Sequence, residues 1–142
     1  MNLADLSITP LRRIETPGGD VLHAMKQTES SFAGFGEAYF SWVAAGVIKG
    51  WKRHKRMTMN VVVPVGQVQF VFRGLDDQGK AMFRAEVIGV ARYVRVTVPP
   101  GIWFAFQGLG ATQSLVLNIS NIPHDPNEVE RLALTDVDYV WS

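Results

Sequence analysis

Lys52 and His54 stand two residues apart in a segment that reads as a β-strand, so both side chains point to the same face. An imidazole titrates near neutral pH and can move a proton, whereas a protonated lysine can steady negative charge on a substrate oxygen. We therefore predict a catalytic pair with His54 as the base. Two alternatives stay open: Lys52 is itself a base with a pKa lowered by burial, or His54 is only hydrogen-bonded in a packed interior.

Five lysine or arginine residues lie between positions 49 and 56. Several cationic donors close together suit a diphosphate, so Lys49, Arg53 and Arg56 are candidate phosphate contacts. Trp51 lies among them and could stack on a base or sugar. The alternatives are a solvated strand edge for the charges and a core position for the ring. Strict alternation would place Lys49 with Trp51 and Arg53, on the face opposite Lys52.

Composition narrows the class of protein. The chain has 142 residues, 47% of them hydrophobic, which fits one domain spanning residues 1–142 with a real core. A formal charge of +1 argues against a nucleic-acid partner. The absence of cysteine excludes disulfides and fits a reducing compartment. No apolar run reaches membrane-spanning length, and the start of the chain lacks the pattern of a signal peptide, so we expect a cytoplasmic protein without a membrane partner.

Short extended runs closed by turn signals dominate the chain. About ten strands are expected, over residues 7–15, 20–25, 38–43, 47–54, 60–63, 67–73, 82–87, 93–98, 103–107 and 114–118. Asp125 followed by Pro126 predicts one or two helical turns reaching Arg131. This pattern favours an all-β fold, an antiparallel cupin-type double-stranded β-helix or jelly roll with one short C-terminal helix at most. An immunoglobulin-like sandwich is the alternative.

The spacing of glycines and prolines resembles the two sequence blocks of metal-binding cupins. Gly46 is followed after five residues by Lys52 and then His54, and the turn Pro99–Gly101 precedes a second candidate position at Phe104. In such cupins three histidines and a glutamate converge on a metal ion. Here the four positions fall on Lys52, His54, Met59 and Phe104. One imidazole beside an ammonium, a thioether and a phenyl ring suits no such ion, so neither metal nor cofactor is expected.

Three runs carry a closer resemblance: Gly36-Glu-Ala-Tyr-Phe-Ser-Trp42, Gly46-Val-Ile-Lys-Gly-Trp-Lys52 and Val98-Pro-Pro-Gly-Ile-Trp-Phe-Ala-Phe106. They are similar to dTDP-4-dehydrorhamnose 3,5-epimerases and their sugar-nucleotide isomerase relatives, which use the cupin barrel without metal. The resemblance covers most of the chain, from about Phe35 to Trp141. It implies a homodimer and a nucleotide-sugar ligand.

The resemblance also shows where this chain departs from the family. The histidine base of the epimerases falls on Lys52, their tyrosine acid near Asn118, and their histidine after the Pro-Pro-Gly turn on Phe104. We keep Asn118 as a hydrogen-bond partner of the sugar and Phe104 as a substrate contact. The epimerases also use an aspartate from the C-terminal region to orient the histidine base, and Asp136 or Asp138 could take that position.

The resemblance therefore implies a metal-independent epimerase or isomerase acting on a dTDP-4-keto-6-deoxy sugar in surface-polysaccharide biosynthesis. The substitutions at the family's catalytic positions keep a second class open, a non-catalytic cupin module that binds sugar nucleotides or glycan intermediates. A metal-dependent cupin oxygenase is a third. His124, in a loop, either closes over the mouth of the cavity or is an ordinary surface histidine.

Overall fold

The computed structural model describes residues 2–142, which are built mainly of β-strands. Within that range lie twelve strands: β1 (Ser7–Pro10), β2 (Arg13–Ile14), β3 (Val21–Leu22), β4 (Glu37–Val43), β5 (Ile48–His54), β6 (Met59–Val65), β7 (Gln67–Leu75), β8 (Ala81–Gly89), β9 (Val94–Val98), β10 (Trp103–Gly108), β11 (Ser114–Ser120) and β12 (Val129–Arg131). Two single turns of 3-10 helix cover Leu3–Asp5 and Leu134–Asp136. No helix in the described range is long and apolar enough to cross a lipid bilayer.

The strands form two five-stranded antiparallel sheets. One has the order β1-β9-β6-β11-β4 and the other the order β12-β5-β10-β7-β8, while β2 and β3 pair in a separate hairpin. Consecutive strands thus often lie in different sheets or at distant positions in one sheet, as in a jelly roll. The predicted antiparallel all-β fold is confirmed.

The main core lies where the two sheets face each other. Alternate residues of β7, Val68, Phe70 and Phe72, point into it, as the sequence pattern predicts. They meet alternate residues of β6 such as Val61 and Val63. This layer fixes the separation of the sheets, and the space left at one end of it is the cavity described below.

A second apolar cluster covers the opposite face of the β5-containing sheet. Val71, which interrupts the alternation of β7, packs here with Trp51 and Trp103. Tyr139 and Trp141 from the last residues of the chain lie against Trp51, with ring centroids 6.5 and 6.1 Å away. The C-terminal segment therefore buries the back of β5, so that both faces of this strand are packed.

A fully buried arginine holds the segment before β4 against the other sheet. The Arg95 guanidinium donates to the Ala24 carbonyl at 2.7 Å and to Ser31 Oγ at 2.7 Å, and it forms an ion pair with Glu29. Its Nε donates to Asn60 at 3.2 Å. A buried guanidinium is tolerated because its donors are occupied in this way.

Two predictions about elements are wrong in detail. Residues 125–131 do not form a helix: Asp125 caps a tight turn through the Asn127 amide at 2.9 Å, and Val129–Arg131 then pairs with β5 as its outer neighbour. The tertiary pairing outweighs the helix signal of Asp125 and Pro126. The N-terminal hairpin is also shorter than predicted, because Ser7–Pro10 pairs with β9 rather than with residues 20–25.

Candidate active site

A cavity of about 200 Å³ lies between the two sheets. Its buried end is apolar and its exposed end is polar and charged. The apolar lining is Met57, Met59, Val61, Phe70, Phe104, Phe106, Val116 and Val129, and the other lining residues are Glu37, Tyr39, Ser41, Lys49, Gly50, Lys52, His54, Asn118, His124 and Arg131. A small organic molecule with one apolar and one charged end would match this distribution.

A bulge in β5 sets which side chains reach the cavity. Phe104 of β10 pairs with Lys52, but the next residue, Ala105, pairs with Gly50, so Trp51 is an extra residue in β5. The bulge shifts the alternation by one position. Lys49 therefore lines the cavity together with Lys52, whereas strict alternation predicted that these two would lie on opposite faces.

His54 is held by a buried carboxylate. Its Nδ1 is bonded to Glu128 Oε1, and the two side chains are 12% and 2% exposed. Because Glu128 is ionised, Nδ1 carries the proton, and Nε2 is left as the acceptor. An imidazole held by Nδ1 in this way presents Nε2 to a molecule bound in the cavity, which is the geometry that a general base requires.

Glu128 stays ionised despite its burial. Burial alone would raise its pKa, but the hydrogen bond and charge of His54 and the backbone N–H groups of Arg56 and Met57 lower the pKa below its usual value. These two amides donate to Oε2 at 3.1 and 3.2 Å. The carboxylate thus joins β12 to the turn after β5.

Lys52 is an unpaired cation in the cavity wall. Among residues 2–142, its ammonium has no carboxylate within ion-pair distance and no hydrogen-bond acceptor. Partial burial, followed by the positive charges of Arg131 and Lys49, lowers the pKa of Lys52. Lys49, by contrast, donates to the Trp42 carbonyl at 2.7 Å.

Tyr39 and Asn118 form a second polar pair in the cavity wall. They are opposite each other on β4 and β11, and Asn118 Nδ2 donates to the Tyr39 hydroxyl at 3.0 Å. The phenol therefore keeps its own proton free to donate to a molecule in the cavity. Asn118 is buried, so the bond fixes the position of the more exposed phenol.

The structure brings together five of the eight residues predicted from sequence. Lys49, Lys52, His54, Phe104 and Asn118 all line the cavity, and the Phe104 ring stacks on His54 with centroids 6.0 Å apart.

The other three lie outside it. Trp51 is 1% exposed and belongs to the cluster behind β5. Arg53 forms a bidentate ion pair with Glu130 and lies 4.8 Å over the Trp103 ring, and the Arg56 side chain points to Asp125. Trp51 and Arg53 alternate with Lys52 and His54 along β5, so their side chains lie on the face turned away from the cavity.

Three residues of the site were missed by the sequence analysis: Tyr39 and Arg131, which line the cavity, and Glu128, which is bonded to His54. Glu128 was assigned to a helix, and Arg131 was ignored for the same reason, although it pairs directly with Lys52 in the sheet. Tyr39 lies in the segment Gly36–Trp42, which carries part of the family resemblance, but no role was predicted for it. Asp136, one of the two aspartates considered as the partner of the base, instead caps the Ala133 amide at 2.9 Å.

Across the described residues 2–142, no three histidine, cysteine, aspartate or glutamate side chains lie together in a way that could hold a metal ion. His54 and Glu128 use each other as partners instead.

Neither a scan against protein-family models nor a search of curated proteins found a match. Solved structures gave high similarity. A dTDP sugar isomerase from Desulfovibrio desulfuricans G20 is 32% identical, with a TM-score of 0.90 over 96% of this chain and 90% of that one.

More distant structures share the fold. A dTDP-4-dehydrorhamnose 3,5-epimerase from Bacillus anthracis str. Ames, with TDP and pyrophosphate bound, has a TM-score of 0.82 at 16% identity over 99% of this chain and 87% of that one. A sugar 3,4-ketoisomerase from Thermoanaerobacterium thermosaccharolyticum, in complex with TDP, has a TM-score of 0.76 at 14% identity over 92% and 90% of the two chains. By its identity to the Desulfovibrio protein over nearly its whole length, the chain belongs to the dTDP-sugar isomerase family, which shares its cupin-type barrel with the 3,5-epimerases.

Proposed function

We propose that this protein is an epimerase or isomerase that moves a proton on the carbon next to the ketone of a dTDP-4-keto-6-deoxy sugar, without a metal ion, in surface-polysaccharide biosynthesis. The observation that carries the proposal is the buried His54–Glu128 pair in a cavity that also holds an unpaired lysine. Membership of the dTDP-sugar isomerase family supports the substrate class.

His54 is the base in this proposal. Glu128 accepts the Nδ1 proton and stabilises the imidazolium that forms when Nε2 takes a proton from the sugar. Removal of that proton leaves an enolate, whose oxygen needs a positive partner. Lys52, on the same strand and in the same cavity wall, supplies it.

Tyr39 is the proposed proton donor on the way back. Its hydroxyl accepts from Asn118 and retains its proton for the substrate. A base and an acid on facing sheets are what inversion at a carbon requires, because the proton leaves from one side and returns from the other. The proposal thus gives Asn118 a positioning role and not a direct chemical one.

The two ends of the cavity suit the two ends of a nucleotide sugar. Met59, Phe70 and Val116 at the buried end would contact the methyl group of a 6-deoxy sugar. Lys49 and Arg131 at the exposed end would contact the diphosphate. The nucleoside would then lie at the mouth of the cavity.

The proposal is tested by solvent exchange. Incubation of the protein with dTDP-4-keto-6-deoxyglucose in D₂O should place deuterium on a carbon next to the ketone. NMR locates the deuterium in the sugar, and mass spectrometry measures how much is incorporated. His54→Asn should abolish this exchange, whereas His23→Asn, which changes a histidine outside the cavity, should not. Exchange no faster than in a blank without protein would contradict the proposed function.

A binding module without turnover is the second candidate. It is favoured by Phe104, which occupies the position of a family histidine and packs against His54. Binding of dTDP-4-keto-6-deoxyglucose in a thermal-shift or calorimetric assay, together with no deuterium exchange and an unchanged affinity in His54→Ala, would establish it.

The proposal includes three properties of the whole protein. We infer that residues 1–142 act as one domain, that the chain forms a homodimer, and that it works in the cytoplasm. The absence of cysteine fits a reducing compartment. The exposed aromatic residues Phe40 and Trp42 on β4, an edge strand, support self-association.

A further inference from the structure

Three lysines on or next to β5 have different environments. Lys49 donates to the Trp42 carbonyl, and Lys55 lies outside the cavity with its ammonium 3.4 Å from the Asn127 carbonyl. Lys52 alone of the three has no acceptor among residues 2–142, although it lines the cavity and is partly buried. Within the described chain, no carboxylate near Lys52 accounts for an amine at this position in the cavity, so an ion pair does not explain its presence there.

The other groups around Lys52 favour its neutral form. Arg131 pairs with it in the sheet, and Lys49 lines the same cavity. The carboxylate of Glu128 is already occupied by His54 and by two backbone amides. Partial burial and the two neighbouring cations lower the pKa of Lys52. A lysine close to other cations in an apolar cavity is the usual setting of an amine that attacks a carbonyl group.

We propose that the Lys52 amine attacks the ketone of the bound keto sugar and forms an imine, so that His54 removes the neighbouring proton from an iminium. This inference rests on the proposed function, because it requires a keto sugar in the cavity. It assigns Lys52 covalent catalysis in place of electrostatic stabilisation of a free enolate.

Only the keto sugar, the side chains of the protein and water take part in the steps of the imine route. The amine nitrogen bonds to the ketone carbon, and the oxygen leaves as water once it has been protonated. The iminium draws electrons from the neighbouring C–H bond, His54 Nε2 takes that proton, and an enamine results. Return of a proton to the same carbon from the opposite side regenerates the iminium, and water then releases the inverted sugar and the free amine.

This route also selects between the two reaction classes. A proton returned to the carbon that lost it gives an epimer whose iminium can be hydrolysed. In a ketone shift the proton would instead be added at the carbon bonded to Lys52 nitrogen, which would leave a stable carbon–nitrogen bond and an alkylated enzyme. The imine route therefore assigns epimerisation, and not movement of the ketone, to this cavity.

Reductive trapping tests the inference on the unmodified protein. Sodium cyanoborohydride with dTDP-4-keto-6-deoxyglucose should add the mass of the substrate less one oxygen atom, and peptide mapping should place the adduct on Lys52. Lys55→Arg should give the same adduct, and Lys52→Arg should lose it. The ketone oxygen should also exchange with ¹⁸O-labelled water faster than in a blank without protein.

The outcomes separate this inference from the proposed function. Deuterium exchange without an adduct and without enhanced oxygen exchange would overturn the imine and leave proton transfer intact. An adduct that persists on other lysines in Lys52→Arg would also overturn it, as would catalytic formation of a ketone-shifted product. Absence of both deuterium exchange and adduct would contradict both proposals.

Discussion

At the scale of single residues, the polar side chains of the cavity differ in whether they have a hydrogen-bond partner within the protein. His54 is bonded to Glu128, Tyr39 is bonded to Asn118, and Lys52 has no partner among the described residues. A partner fixes the orientation of a proton-transfer group, and the lack of one keeps an amine available to a ligand. Function therefore depends on the distribution of hydrogen bonds as much as on residue type.

Glu128→Gln should lower kcat for deuterium exchange by about 100-fold or more, with little change in KM, because a neutral amide cannot stabilise the imidazolium of His54. The change also weakens the acceptor of the Arg56 and Met57 amides. Glu130→Gln is the matched control, since Glu130 is two residues away and pairs with Arg53 outside the cavity. Equal effects of the two substitutions would contradict the role of Glu128.

Lys52→Met should abolish exchange and yet raise the free energy of unfolding, by about 1 kcal/mol. Partial burial and the charges of Arg131 and Lys49 lower the pKa of Lys52 and disfavour its charged form, and a thioether of similar length carries no charge. Urea denaturation at pH 7 measures the effect. A lower stability for Lys52→Met than for Lys55→Met would show that the ammonium is favourably placed after all.

At the scale of elements, β5 is the strand on which the site depends. It carries four cavity residues, it lies between β10 and β12, and its bulge at Trp51 turns Lys49 to the cavity side. Gly50 next to the bulge has φ +143° and sits against Ala105. The close approach of β5 and β10 at this point requires a residue without a side chain.

Gly50→Ala should therefore destabilise the fold by about 3 kcal/mol or more, through strained backbone and overlap with β10. An added Cβ would lie 2.5 Å from the Ala105 Cβ. Gly79→Ala is the control: its φ is +79°, but no atom lies within 4 Å of the added Cβ, so only backbone strain of about 1–2 kcal/mol is expected. Chemical denaturation compares the two, and similar losses would contradict the steric argument.

Sequence patterns predicted the strands better than the contacts between them. The alternation in β7 and the turn signals are local, so the antiparallel jelly roll followed from them. The bulge at Trp51 depends on pairing with β10, which no local pattern reports. For the same reason Glu128 was placed in a helix, although its carboxylate is needed by a histidine 74 positions earlier.

At the scale of the whole molecule, each sheet is covered on its outer side by a segment without long strands. Arg95 holds residues 24–31 against one sheet, and the C-terminal segment covers the other through Trp51. The ion pair with Arg95 lowers the pKa of Glu29. The packing of the outer layers is thus partly electrostatic and partly apolar.

Stability should fall as the pH drops below about 4, the ordinary range of a glutamate. Glu29 and Glu128 have lowered pKa values in the folded protein, so the unfolded chain binds protons first. The stabilisation is complete above the unfolded pKa and is lost as the pH falls through the lower folded values. Unfolding free energies measured from pH 7 to pH 2.5 test this, and Glu29→Gln should show a shallower decline. A stability that is constant down to pH 3 would contradict it.

The proposed homodimer should depend on β4. Phe40 and Trp42 are 63% and 50% exposed on an edge strand whose alternate residues, Tyr39 and Ser41, line the cavity. Replacing Trp42 with serine should shift the mass measured by analytical ultracentrifugation from dimer towards monomer. Val140→Ser, which removes an exposed side chain elsewhere, should not. A monomeric unmodified protein at micromolar concentration would contradict the prediction.

The position of Glu128, Arg131 and Trp141 late in the sequence has a consequence for biosynthesis. β5 emerges from the ribosome about 75 residues before β12, which pairs with its edge, and about 90 residues before Trp141, which covers its back. Domains generally fold as units during synthesis, and a strand exposed on one edge and one face is not yet stable. The barrel can thus begin to assemble early, but the reactive centre can mature only after residues 128–141 have been translated.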